Sequence, residues 1–412
     1  MHRSIAFLAH LWQDAEMVLL RRSHRLATPL LLCLALLTAC EDEPPPLVLP
    51  PVVPIVRPPL LSPRPIATAS AFDLVALEGG AGLIFSPASS DGGGVRLAAM
   101  DALGSHRGQD PELFASQRPA GFEGPFVPVD AAEVEAAAGG GRLAVVWVAR
   151  NNGVFSAVAA VGDATGSAFG PVTTLGPTPL RTVGGRGQVG VAVSEAGVSE
   201  VRWRAPDGRC DEGSRARCAL VRGARLGGDA TGREDLPRAL PDSCTFPIAG
   251  ATYAQGVWYF GVCDRTGGQP ATTVLGVDFA LSYAQSQRIL EGCEPMGLMA
   301  AADAALAVGR CGAARRLVRI REAGRVLEVV GDFTPEVDCT GAHPVLHAGA
   351  FTMALGGSVA HLEALLPDAI APRGARALWT GRALLVATPI GREVSMHRYQ
   401  CEHGELSPTS GP

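Results

Sequence analysis

The chain contains no lysine, and it has only two asparagines, Asn151 and Asn152, among its 412 residues. Without a lysine amine it cannot form a Schiff base on a side chain, hold a nucleotide through a P-loop lysine, or pair a serine with a lysine for catalysis. Every permanently positive side chain is an arginine. The absence of lysine therefore excludes these three lysine-dependent functions for this chain.

Several motifs with known chemistry are absent as well. The chain has no GxSxG elbow, no HExxH motif, no EF-hand loop and no CxxC pair, each of which marks a particular catalytic or metal site. A GxGxxG match at residues 185–190 precedes a β-like run instead of a helix, so we interpret it as a glycine-rich turn. His343 and His347 lack an evident third ligand. We therefore expect no cofactor and no metal.

The N-terminal segment has the pattern of an export signal. Arg21, Arg22 and Arg25 precede an apolar run over residues 27–37, and small residues follow it. The run is too short to span a bilayer by itself. This order of basic, apolar and small residues predicts a secretory signal peptide. Met17 would be a more typical start for such a signal than Met1.

Residues 37–40, Leu-Thr-Ala-Cys, resemble the lipobox of bacterial lipoproteins. The resemblance implies that residues 1–39 are removed as a signal peptide and that Cys40 is diacylated and anchors the protein in a membrane. It also implies an exported protein of the bacterial envelope, on the periplasmic side or at the cell surface. The alternative is a hydrophobic leader that ends in cysteine by chance.

Residues 40–66 form a proline-rich spacer, which favours an extended polyproline II conformation. Removal of residues 1–39 takes away four arginines and two acidic residues, so the formal net charge changes from −5 to −7. An acidic exported protein is a poor nucleic-acid binder. The expected partners are the membrane, through the lipid anchor, and an envelope protein or a glycan.

The remaining domain, residues 67–412, contains degenerate repeats. The motif Asp-Ala-x-Gly begins at Asp101, Asp163 and Asp229 and closes an apolar alternating run each time, and weaker copies follow at intervals of 44 to 49 residues. Repeats of this length with strand-like patterns are typical of β-propeller blades. Trp147, Trp203 and Trp258 fall in predicted second strands, where we expect them to pack between blades.

Seven such units divide the domain into blades of about 48 residues. In the second unit, residues 134–138, 142–150 and 154–161 read as three strands joined by tight glycine-containing turns. The chain resembles β-propeller lipoproteins of Gram-negative envelopes, which implies an all-β, seven-bladed β-propeller, with six or eight blades as alternatives. Because the last unit offers three strands, we expect residues 66–77 to complete it or to begin the first blade beside it.

Cysteine spacing predicts disulfide bonds in the exported domain. Two stretches, residues 244–263 and 293–311, begin and end with cysteine, and the midpoint of the second is a plausible hairpin turn. Zinc binding is the alternative reading. The predicted pairs are Cys210 with Cys218, Cys244 with Cys263, Cys293 with Cys311 and, by elimination, Cys339 with Cys401.

The sequence assigns no catalytic residue. Our leading hypothesis is a non-enzymatic binding or scaffolding module, and the alternative is an extracellular carbohydrate-active hydrolase or lyase with a propeller fold. The arginine-rich loop at residues 210–218 is a candidate contact surface, although a solvated charged loop is the simpler interpretation. Paired acids that converge in the channel would favour the enzyme, and a channel lined by apolar and arginine side chains would favour binding.

Overall fold

The computed structural model is all-β. It describes residues 64–87, 95–105, 131–151, 154–178, 187–206, 219–226, 233–239, 248–264, 269–278, 284–301, 304–312, 314–323, 326–332, 345–347, 352–354, 360–361, 375–391, 393–402 and 405–408. These residues form 26 strands and no helix. They lie within one compact unit, residues 58–412.

Four sheets have four antiparallel strands each. Sheet A consists of β4 (Ala131–Gly139), β5 (Arg142–Asn151), β6 (Val154–Asp163) and β7 (Thr173–Pro177). Sheet B consists of β8 (Val189–Val193), β9 (Ser199–Pro206), β10 (Ala219–Leu226) and β11 (Arg233–Ala239). Sheet C consists of β12 (Ile248–Ala254), β13 (Val257–Asp264), β14 (Ala271–Asp278) and β15 (Ala284–Ile289). Sheet D consists of β16 (Glu294–Ala301), β17 (Ala304–Cys311), β18 (Ala314–Ala323) and β19 (Val326–Asp332).

The other strands form a hairpin and an eight-stranded sheet, which we call the shared sheet. The hairpin consists of β20 (Val345–His347) and β21 (Thr352–Ala354). The shared sheet begins with β1 (Arg64–Leu77), β2 (Gly80–Pro87) and β3 (Arg96–Asp101). It also contains β22 (Ala360–His361), β23 (Arg376–Trp379), β24 (Ala383–Ile390), β25 (Glu393–Glu402) and β26 (Glu405–Pro408).

Strand β1 joins the two ends of the domain. Its first part, Arg64–Thr68, pairs with β25, and its second part, from Ala69 to Leu77, pairs with β2. Each part contains a register shift, between Pro65 and Ala67 in the first and between Ala69 and Ala71 in the second, as expected near a place where a strand bends from one partner to another. Residues 66–68 extend the last strands and residues 69–77 begin the first ones, so the segment takes part in both. The last unit already has a further strand, β22, beside its predicted three, and the seven-bladed ring stays a prediction.

The hairpin turns follow from glycine. Between β4 and β5 the chain reverses through Gly140 and Gly141, whose φ angles of 53° and 72° lie in the left-handed region that side chains with a Cβ avoid. Two consecutive positive φ values define the type I′ turn that suits tight hairpins. The predicted strands of this unit are confirmed.

The Asp-Ala-x-Gly repeat is a turn held by its aspartate. Asp101 Oδ1 accepts hydrogen bonds from the backbone N–H groups of Leu103 and Ser105, and Asp163 Oδ1 accepts them from Thr165 and Ser167. In both turns the glycine has a positive φ, 77° at Gly104 and 70° at Gly166. The sequence repeat at these two positions therefore encodes the same local structure.

Hydrophobic cores lie between successive sheets. Separate clusters fill the spaces between β1–β3 and sheet A, between sheets A and B, between B and C, and between C and D. Trp147, Trp203 and Trp258 lie in the second strands of sheets A, B and C and are buried within these interfaces or beside them. The prediction that these rings pack between repeat units is confirmed.

The arrangement of sheets is propeller-like. The strand β1 contacts β4, which contacts β8, and the series continues through β12 to β16, while β23 lies against β1. We call β1, β4, β8, β12, β16 and β23 the axial strands. A further core packs β1–β3 against β23–β25, so the two halves of the shared sheet face each other as separate layers. The predicted all-β class is confirmed.

Candidate functional site

Charged side chains from three axial strands meet in the interior. Arg376 on β23 lies between Asp73 on β1 and Glu135 on β4. Its Nε is 3.0 Å from Asp73 Oδ1, and its Nη2 is 2.9 Å from Glu135 Oε1. One guanidinium therefore joins the last strands, the first strands and sheet A through charge-assisted hydrogen bonds.

Asp73 also fixes the backbone around it. Its Oδ1 accepts a hydrogen bond from the backbone N–H of Leu74 at 2.9 Å, and its Oδ2 accepts one from Ala136 of sheet A at 2.7 Å. With Arg376 Nε, three donors point at this carboxylate. Asp73 thus holds β1 and β4 together where their side chains enter the interior.

Glu133, two residues before Glu135 on β4, faces the start of β8. Its carboxylate accepts hydrogen bonds from the backbone N–H groups of Gly187, Gln188 and Val189, at distances of 2.8 to 3.3 Å. These N–H groups precede or begin the strand, where the ladder has not yet supplied partners. Glu133 therefore fixes the entry of sheet B beside sheet A.

These four residues, which we call the axial cluster, are Asp73, Glu133, Glu135 and Arg376. Their formal charges sum to −2, and all four are buried. Glu135 has a side chain that is 9% exposed, compared with 1% for Asp73 and Arg376. Burying four charged groups is costly unless each is hydrogen-bonded, and the contacts described above supply those bonds.

Gln188 directly precedes β8 and contacts Glu133. Its backbone N–H is held by both carboxylate oxygens of Glu133, at 3.1 and 2.9 Å. The residue is 7% exposed, and its side-chain Oε1 has no hydrogen-bond partner among the residues that the structure describes. A polar acceptor in this condition is uncommon in a folded interior.

The cluster combines acceptors and a planar donor. Carboxylates can accept hydrogen bonds from hydroxyl groups and can give or take a proton, and a guanidinium can orient an acid or an oxygen-bearing ligand. Within the described ranges no group of three or more His, Cys, Asp or Glu side chains has the arrangement of a metal site. No helix there is long and apolar enough to cross a membrane.

One predicted disulfide is present. Cys293 and Cys311 are bonded, with their Cα atoms 4.2 Å apart, because β16 and β17 pair from Glu294 with Arg310 to Ala301 with Ala304. Cys263 is disulfide-bonded as well. Its pairing with Cys244 stays a prediction.

The remaining predicted site residues are not tested. Cys40, Cys210, Cys218, Cys244 and Cys339 lie outside the described residues, as do the whole loop at residues 210–218 and His343. Cys401 lies on β25, and its side chain is not described. At the GxGxxG match, the described part continues into β8, as expected for a turn before a strand.

Sequence reasoning missed the axial cluster. Each member is a charged residue within an otherwise apolar strand, as in Phe-Asp-Leu at Asp73 or Ala-Arg-Ala at Arg376. A charged residue that lies among apolar residues of a buried strand indicates a buried ion pair. The signal does not identify the partner.

No family model matches the chain, and no curated protein matches it. Similar solved structures include a prolyl endopeptidase, with 12% identity, 83% of this chain and 50% of that chain covered, and a TM-score of 0.40. TolB from Acinetobacter baumannii has 12% identity, coverages of 81% and 64%, and a TM-score of 0.34. An endo-arabinase from Bacteroides thetaiotaomicron has 12% identity, coverages of 66% and 98%, and a TM-score of 0.29.

These neighbours are propeller-type proteins, and they include peptidase and glycosidase structures alike. This chain spans about half the length of the prolyl endopeptidase. With identities this low and TM-scores below 0.5, the matches describe a general likeness. They decide nothing about activity.

Proposed function

We propose that the protein acts on an extracellular carbohydrate as a hydrolase or a lyase, and that the axial cluster is its site. The proposal depends on one observation. Two carboxylates from neighbouring axial strands, Asp73 and Glu135, meet at the guanidinium of Arg376 at 3.0 and 2.9 Å. A pair of carboxyl groups close to each other is the chemistry that cleavage of a glycosidic bond uses.

Glu135 is the proton-transferring group in this proposal. Its side chain is 9% exposed, compared with 1% for Asp73 and Arg376, and it lies next to the guanidinium that orients it. Asp73 is the second carboxylate of the pair, and hydrogen bonds from Leu74, Ala136 and Arg376 hold it in place.

The two reaction types differ in what happens to the proton and the bond. In hydrolysis, a carboxyl group gives its proton to the leaving oxygen as the glycosidic C–O bond breaks. A water oxygen then bonds to the sugar carbon, and its proton goes to a carboxylate. In elimination, a carboxylate takes a proton from carbon, a C=C bond forms as the neighbouring C–O bond breaks, and the leaving oxygen takes a proton from a carboxyl group.

The test is mass spectrometry of the products from the full chain incubated with a panel of purified polysaccharides. Fragments that have gained water identify a hydrolase, and fragments with an unsaturated sugar identify a lyase. We expect one of these from the wild-type protein and a large loss with Glu135→Gln. Intact polysaccharides across the panel would contradict the enzymatic proposal.

The second candidate is a non-enzymatic binding or scaffolding module. Asp73 and Glu133 each accept hydrogen bonds from backbone N–H groups of the next axial strand, and this is the role of a structural link between sheets. The full burial of Asp73 also favours this reading. Unchanged polysaccharides, together with a large loss of stability in Glu135→Gln, would support it.

We further propose that the chain is exported and lipid-anchored through Cys40, on the sequence pattern described above. The proposed seven blades are sheets A to D, the hairpin β20–β21, and the two halves of the shared sheet that face each other across a core. A Cys40→Ser variant that still partitions with membranes would contradict the anchor.

A further inference from the structure

Residues 290–293 connect β15 of sheet C to the axial strand β16 of sheet D, and we call them the connecting turn. Two backbone hydrogen bonds hold it. The N–H of Gly292 donates to the oxygen of Pro270 at 2.8 Å, and the N–H of Cys293 donates to the oxygen of Leu290 at 3.0 Å. Through Cys293 the turn is also tied to β17 by the disulfide bond. The bond therefore restrains the connection between two sheets as well as one hairpin.

Leu290 has a backbone conformation that leucine rarely adopts. Its φ angle is 50°, in the left-handed region where a Cβ crowds the backbone. Its side chain is buried and belongs to the core between sheets C and D. Such a conformation persists only where the surrounding contacts enforce it. At Leu290 those contacts are the core, the two hydrogen bonds and the disulfide.

The second non-glycine residue with a positive φ among the described residues, Gln255, has a different explanation. Its φ is 51°, and with Gly256 at 81° it forms the two-residue turn between Ala254 and Val257. Tight hairpin turns of this kind require positive φ at both central positions. The connecting turn joins two different sheets, so a hairpin does not account for the conformation of Leu290.

Leu290 and the disulfide pack on the same part of β17. A Cβ built on Gly309 would lie 3.0 Å from Leu290 Cδ1 and 3.1 Å from the Cβ of Cys293. The missing side chain at Gly309 therefore gives both residues their place. Cys311 is half-buried, whereas Cys293 is 1% exposed, so a thiol reaches the bond from the side of Cys311.

We propose that the disulfide is a redox-sensitive latch, and that a dithiol reductant opens it and releases the connecting turn. A thiolate of the reductant attacks Cys311 Sγ, the S–S bond breaks, and Cys293 leaves as a thiolate and takes up a proton. The second thiol of the reductant loses its proton and attacks the mixed disulfide. Cys311 then leaves and is protonated, and the reductant ends as a disulfide.

Two electrons and two protons thus pass to the protein, and the connecting turn loses one of its restraints. Leu290 then leaves its left-handed conformation, and the core between sheets C and D loosens beside the axial strand β16. This device is independent of the proposed carbohydrate activity.

The first test is hydrogen–deuterium exchange of the full chain with and without dithiothreitol. We expect the N–H groups of Gly292 and Cys293 to exchange at least about tenfold faster in the reduced protein. The N–H of Gly197, which donates to Ser194 in sheet B, should keep its rate. Unchanged exchange in the connecting turn would overturn the proposal. An equal acceleration at Gly197 would also overturn it, because it would indicate general unfolding.

The double variant Cys293→Ser/Cys311→Ser is the control for the bond, because Cys263 is disulfide-bonded as well. We expect fast exchange in its connecting turn under both conditions and no response to dithiothreitol. A response that persists in this variant would assign the effect to another bond and would refute the latch.

Leu290→Gly and Leu290→Ala separate the backbone conformation from the packing. Both remove the side chain from the core, but only alanine keeps the Cβ that disfavours a positive φ. In the reduced proteins we expect the connecting turn of Leu290→Gly to exchange about threefold more slowly than that of Leu290→Ala. Equal rates, or faster exchange in Leu290→Gly, would show that the backbone conformation does not drive the release. The disulfide would then be a simple staple, and the latch would be wrong.

Discussion

Asp73 and Arg376 are 303 residues apart in the chain, and their side chains meet at 3.0 Å. Asp73 lies on β1, the same strand whose first part pairs with β25. The strand β1 is therefore joined to the C-terminal strands twice, to β25 through backbone hydrogen bonds at Arg64–Thr68 and to β23 through a buried ion pair. The backbone pairing and the ion pair can therefore be tested separately.

Arg376→Met tests the ion pair. The substitution leaves Asp73 and Glu135 buried without their shared cation, and the removal of one partner from a buried pair typically costs about 3–5 kcal/mol. We expect a loss of that size in the free energy of unfolding, measured with urea. Arg382→Met on the same hairpin is the control, because Arg382 is exposed. Equal stability of the two variants would contradict a structural role for the cluster.

Deletion of residues 64–68 tests the backbone joint. It removes the pairing with β25 and exposes a strand edge, so we expect a clearly lower melting temperature and greater aggregation. Deletion of residues 43–57, within the proposed spacer, should change the melting temperature little. If both deletions melt like the intact protein, β1 does not hold the two ends of the domain together.

The local parts of the fold could be predicted from sequence, and the long-range parts could not. Gly140 and Gly141 identify their hairpin because positive φ values are a property of the residues themselves. The axial cluster depends on pairs 241 and 303 residues apart. No local pattern shows that Arg376 will lie beside Asp73, because their meeting requires every intervening sheet to be placed first.

The double variant Cys293→Ser/Cys311→Ser tests the observed disulfide. The bond closes a hairpin with a sequence separation of 18 residues, and the loop-closure model assigns about 3 kcal/mol to a loop of this size. We expect a loss of stability near that value, with the fold retained because β16 and β17 still pair. Calorimetry in the absence of reductant is the measurement. An unchanged unfolding temperature would show that the bond contributes nothing.

The stability of the protein at low pH should depend on the turn that Asp163 holds. Hydrogen bonds from the side chains of Thr165 and Ser167 lower the pKa of Asp163 from 3.8 to about 2. A carboxyl group with a lowered pKa in the folded state contributes stability that is complete above pH 3.8 and is lost as the pH falls to about 2. Asp163→Asn should therefore melt below the wild type at neutral pH, and the difference should shrink across this range. A difference that stays constant from pH 7 to pH 2 would contradict this account.

The most direct test of the central claim is the cleavage activity of Glu135→Gln, measured as the release of reducing ends from the best polysaccharide substrate. The variant keeps the pair between Asp73 and Arg376, so we expect it to fold. Glu291→Gln is the control, since the Glu291 side chain is 73% exposed. We predict that Glu135→Gln loses activity about a hundredfold or more, while Glu291→Gln and the wild type cleave at the same rate. Wild-type activity in a fully folded Glu135→Gln protein would contradict the assignment of the axial cluster as the site.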